Sequence, residues 1–215
     1  MTTLPSEQRT MSFHELLQTQ RWDDHRFYHH CRINQTLHLI SAISFLTAYV
    51  WLFIDPVVSA FLGWGVSMLT RQSGHFFFEP KGFDQENGVT HEHKEAIKVG
   101  YNLVRKYVLM SVWALSTLVP WATPTLFGLY PAYDGWHSYA HHVAVLWITV
   151  GVVAVLLRTL WLCVAVAPRQ GIAWMTKILT DPFHDIRIYW RSPLHLLRGQ
   201  RYDPMTDWPE PMRRL

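Results

Sequence analysis

The chain has 215 residues, of which 16% are charged, 49% are hydrophobic and 11 are tryptophan. Soluble domains carry about 25% charge, so this composition leans toward a membrane-associated protein with polar ends. A formal charge of +3 is too mild for a nucleic-acid partner, and Cys31 and Cys163 are too few for a disulfide framework or a zinc–cysteine motif.

Residues 1–37 carry acids, bases and four histidines, without the apolar core of a cleavable signal peptide. Apolar segments follow at 39–54, 57–70, 107–130 and 143–167. The first two fall short of the about 20 residues a crossing needs. Asp55-Pro56 between them reads as a tight turn joining two crossings or as the tip of a re-entrant hairpin. Pro120 and Pro124 kink the third segment or end it early. The fourth is the clearest, interrupted only by Arg158. Lysine and arginine gather before 39, within 71–106 and beyond 168, and 131–142 has none. The positive-inside rule then predicts an all-α, multi-pass integral membrane bundle of about four transmembrane helices, with both termini and 71–106 cytoplasmic. In this reading 1–37 is an N-terminal segment, 38–167 the bundle and 168–215 an interfacial tail. Pro182, Pro193, Pro204, Pro209 and Pro211 are expected to keep the tail from forming a long helix. His184 and Asp185 could cap the site from below.

The predicted topology divides the thirteen histidines. His29, His30, Asn34 and His38 lie at the cytoplasmic start of the first span. Gln72, His75 and Glu79 lie at the end of the second, and on a helix these three share a face. His91 and His93 follow in the same connection. His137, His141 and His142 fall on the far side, about 30 Å away. Asn34 and His38 share a helix face, whereas His29 and His38 stand about 180° apart on a straight helix. Both reach one ion only if the chain bends between them or if His29 lies in a segment that folds back. Imidazoles with an optional carboxylate suit Fe(II), with zinc as the competitor. The bland alternative is a polar seam in which these groups pair with each other and hold the hairpin together.

"YHHCRINQTLH" and "RQSGHFFFE" resemble the paired signatures of the membrane 2-hydroxy fatty acid dioxygenases of fatty acid α-oxidation. The matching positions are Tyr28, His29, Asn34, His38, Gln72, Gly74, His75 and Glu79, within 28–79 of the chain. The resemblance implies a non-haem Fe(2+) enzyme that uses O₂ to cleave a 2-hydroxy fatty acid to a fatty acid one carbon shorter, working in a lipid bilayer. His29, His38 and His75 would be metal ligands, with His30, His91 and His93 ranked below them. Glu79 would be a fourth ligand or a support, Asn34 and Gln72 hydrogen-bond donors in catalysis, and Arg71 or Lys81 the attractor of the substrate carboxylate. Two rivals stand beside this reading. One is a membrane di-iron lipid hydroxylase or desaturase-like enzyme, which needs "HSYAHH" beside the other histidines. The other is a non-enzymatic helical scaffold or metal-handling protein.

Overall fold

The computed structural model describes residues 11–79, 81–85, 87–98 and 102–204. Among them the fold is all-α, with only isolated bridges at Cys31–Tyr202 and Asp84–Val89. Helix α1 (Phe13–Tyr28) starts at a capping box: Glu15 N donates to Ser12 Oγ at 3.3 Å and Ser12 N to Glu15 Oε2 at 2.8 Å. It stops at His29, and α2 (Arg32–Trp51) begins after a short corner. Side chains of α2 finish α1. Asn34 Nδ2 donates to the Tyr28 carbonyl at 2.7 Å and Gln35 Nε2 to the His29 carbonyl at 2.8 Å. These are carbonyls that a helix end leaves unpaired.

Beyond α2 the chain turns at Asp55, whose carboxylate caps the Val57 and Val58 amides at 2.8 and 3.4 Å with Pro56 in the first helical position. The return leg is a composite helix of Pro56–Ala60, Phe61–Met68, Leu69–Ser73 and Gly74–Phe78, the second and fourth stretches π-helical. Small hydroxyls stitch the two legs. Ser41 and Ser67 meet at 2.8 Å, and Ser59 Oγ donates to the Ala48 carbonyl at 2.8 Å. The hairpin therefore brings His38 and His75 to the same end.

Short helices His91–Ile97 and Leu103–Ser116 follow, then a single turn, Val119–Ala122. The apolar stretch 107–130 is thus not one rod. It turns after Ser116, and Leu126 and Phe127 take positive φ of 46° and 61°. Trp136–Ala165, with 30 residues and a hydropathy of 2.3, is the one helix among the described residues long and apolar enough to cross a membrane. This corrects the expected multi-pass bundle of about four crossings, and the sorting of histidines by membrane side loses its basis with it. The physical reason is buried polarity and interruption. The first turns of α2 bury Arg32, Asn34, Gln35, His38 and Ser41, and the return leg changes helical type three times.

The tail is a second correction. Pro168–Tyr189 is a helix of 22 residues that runs through Pro182 and packs on α1, α2 and the long helix. Gly171 permits a close approach to the long helix, because a Cβ there would collide with Cys163 and the Thr159 carbonyl. The helix buries Trp174, Lys177, Asp181, Asp185 and Tyr189, and this packing overrides the local penalty of the proline. Pro193 opens the next helix, Ser192–Leu197, while Pro209 and Pro211 lie outside the described residues.

Candidate metal centre

His29 closes the end of α1, His38 sits two turns into α2, and His75 lies in the terminal π-helical stretch of the return leg. All three are buried, and one ring nitrogen of each lies within 4.8 Å of the others. The Nε2 atoms of His29 and His38 are 3.1 Å apart. Donors bound to one ion at about 2.1 Å sit roughly 3 to 3.5 Å from each other, so this pair already has the required separation. The corner at 29–31 supplies the bend that lets His29 and His38 face each other. Such a triad can hold a divalent metal ion, and it marks the protein as consistent with a metal-dependent enzyme.

The imidazoles are backed by acids. His75 Nδ1 lies 2.6 Å from Glu79 Oε2, which places the proton on Nδ1 and turns Nε2 toward the centre. His38 Nδ1 lies 3.6 Å from Asp185 Oδ2, and Arg71 Nη1 binds that same oxygen at 3.1 Å. His29 Nδ1 is buried and has no hydrogen-bond partner among the described residues. The His29 ring borders Tyr189 at 5.9 Å and shares a cavity of about 10 Å³ with Asp24.

Burial sets the protonation of the triad. It drives all three histidines well below the usual imidazole range, reinforced by His38 at His29, by Arg71 at His38 and by Lys106 at His75. Neutral imidazole is the ligating form, so the protein holds the triad ready for metal. Asp24 goes the other way. Burial raises it, but Lys177, with Lys98 and Arg71, outweighs burial and keeps it ionised.

A partly open cavity of about 110 Å³ borders His75. Gln72 lines it and has a buried Oε1 without a partner among the described residues. Arg71 lines it too, with its guanidinium committed to Asp185 at 3.1 Å and Asp181 at 3.8 Å. Lys81 is exposed and outside the cavity wall. Asn34 donates to Tyr28 rather than into the cavity, and its Oδ1 abuts Gly74. His30 is drawn off to Asp84 at 3.8 Å and Asn87 at 3.3 Å. His91 and His93 sit on a short helix without joining the triad, and His137, His141 and His142 stay outside it as well.

Sequence reasoning missed Asp24, Lys98, Lys106, Lys177 and Asp181, all near the centre. A signal existed for part of this set. Lys177, Asp181 and Asp185 repeat at four-residue spacing and so share a face once 168–189 is read as a helix. Compared with protein-family models, curated proteins and solved structures, the chain finds no match.

Proposed function

We propose that the protein is a non-haem Fe(II) dioxygenase that shortens 2-hydroxy carboxylic acids of lipid origin by one carbon. The observation that carries this reading is the closure of His29, His38 and His75 into one buried cluster from the two halves of the resembling signature. A bound Fe(II) would supply O₂ chemistry and a chelation point for neighbouring carboxylate and hydroxyl oxygens. The balance closes without an external reductant: R–CH(OH)–COOH + O₂ → R–COOH + CO₂ + H₂O. The bond between C1 and C2 breaks, C2 gains oxygen, and both oxygen atoms of O₂ are reduced.

The chain's own residues prepare this reaction. Three neutral imidazoles leave the charge of the ion uncompensated, which favours an anionic substrate over a neutral one. Glu79 orients the His75 ring, Asp185 faces the His38 ring at 3.6 Å, and Gln72 offers an amide to the substrate. The apolar exposed face of Trp136–Ala165 suits a protein that draws its substrate from lipid. The di-iron reading has less support, because the triad offers one cluster of three histidines among the described residues.

The test is anaerobic loading of purified protein with Fe(II), followed by metal analysis and by mass spectrometry of a 2-hydroxy long-chain acid incubated with O₂. The expected result is one iron per chain and the acid one carbon shorter. Two irons per chain would support the di-iron reading. Tight zinc binding with no O₂-dependent turnover would remove the dioxygenase.

A further inference from the structure

Two lysines in the cavity have no part in the metal centre itself. Lys98 follows the helix His91–Ile97, and Lys106 lies in Leu103–Ser116, so they reach the cavity from separate elements. Both side chains are buried and both converge on one carboxylate. Lys98 Nζ is 3.3 Å from Glu79 Oε1 and Lys106 Nζ is 3.6 Å from Glu79 Oε2. Tyr28 fixes Lys98 from behind, with Nζ 3.4 Å from the ring centroid.

The charges around them decide what is lacking. Asp23 is bound to Arg26 at 2.7 Å, and Asp24 to Lys177 at 3.0 Å. Arg71 is held by Asp185 and Asp181. Glu79 is engaged by His75, Glu95 lies 3.8 Å from Lys98, and Asp24 faces both lysines across the same cavity while its carboxylate is held by Lys177. Each ammonium carries three donors, and one shared carboxylate does not satisfy two such groups. Buried like charges at this range favour a further anion between them.

We propose that Lys98 and Lys106 seat the carboxylate of the substrate beside His75, a reading that rests on the function proposed above. The cavity, about 110 Å³ and partly open, has room for a carboxylate head group. Phe27, Ile97, Trp174 and Ile178 line the same cavity and give the first carbons of an acyl chain an apolar path outward. Specificity for an acid over an alcohol or ester thus comes from the two lysines rather than from Arg71 or Lys81.

The experiment measures binding of dodecanoate and of chain-matched dodecanol to the full-length protein by calorimetry, metal-free and iron-loaded, with iron content assayed in parallel. Metal-free wild type is expected to prefer the acid by about tenfold or more, the worth of a charge-assisted contact. Lys106→Met is expected to abolish that preference, and Lys106→Arg to keep most of it. Lys106→Met should still bind iron, because Lys98 remains on Glu79. The proposal is overturned if Lys106→Met and Lys98→Gln both retain the full preference, or if metal-free wild type shows none. The two readings fail separately. A lysine-dependent preference in protein that takes up no iron would leave the anion seat and remove the dioxygenase. Iron-dependent turnover that ignores both lysines would do the reverse.

Discussion

Gly74 occupies a position where any side chain meets the centre's framework. A Cβ there would strike the Asn34 amide and approach His38 Cδ2 at 3.5 Å. Asn34 cannot simply withdraw, because it holds the last turn of α1 through the Tyr28 carbonyl. Gly74→Ala is therefore expected to destabilise the protein by about 1 to 3 kcal/mol, the usual range for overpacking, read from denaturant midpoints. Asn34→Ala in the same chain should recover part of that loss, and strictly additive effects would show that the two residues do not clash. Glu79→Gln probes a different link. It keeps the shape beside His75 while removing the charge that faces both lysines. If Glu79 only orients the ring, iron affinity should fall about 10- to 100-fold and saturate at higher metal concentration. No recovery at any iron concentration would make Glu79 a ligand.

Among the elements, the corner between α1 and α2 and the helical hairpin make the centre, and the two differ in how they can be perturbed. Gln35 lies at the corner. It donates to the His29 carbonyl and Asp203, and accepts from Arg32 at 3.1 Å and Ser192 at 2.6 Å. Gln35→Leu would strip partners from several buried groups at once, with an expected loss of about 2 kcal/mol or more together with weaker metal binding. Asp55→Ala, at the tip, removes a helix cap worth about 1 kcal/mol and should leave iron content unchanged, because the tip lies some 13 helical residues, about 20 Å, beyond His38. Thermal melts with metal analysis on both variants check the contrast. The same elements show what could be read in advance. The triad was legible because its ligands come from a local hairpin, with characteristic spacing in each half. The Asp55-Pro56 turn was legible because capping is local chemistry. Asp185, named from the sequence as a cap beneath the site, does reach His38, from 147 positions further along the chain and on a helix the sequence did not predict. Only the packing of Pro168–Tyr189 creates that contact, and the proline at 182 argued locally against the helix that carries it. The stretch 107–130 is a mixed case: its apolar composition speaks for a span, while Pro120 and Pro124 mark its interruption, and the helix already ends at Ser116.

On the scale of the whole molecule, the burial that readies the triad for metal also makes folding depend on pH. His29, His38 and His75 are held well below the ordinary value of 6.5, and His25 is lowered to about 4, in each case chiefly by burial. The unfolded chain takes up protons at 6.5 that the folded chain refuses. Below 6.5 the unfolded state therefore holds more protons, and stability must fall as pH falls. Each histidine contributes up to about 1.4 kcal/mol per pH unit until its folded value is reached. Asp23, Asp181 and Asp185 are raised by burial and act with the opposite sign once they begin to take up protons. The decline should set in near 6.5 and steepen over about the next pH unit, as the unfolded histidines become fully protonated. Metal binds only the neutral triad, so it stabilises the folded form by mass action and competes with protons. Metal-free protein is expected to lose melting temperature steadily from pH 7 to pH 5. Iron(II) held under anaerobic conditions should raise the melting temperature at pH 7, with the increment shrinking toward pH 5. A melting temperature that is flat across this range in the metal-free protein would mean that the histidines are not held neutral by burial, and the centre would then have to release protons to accept its ion.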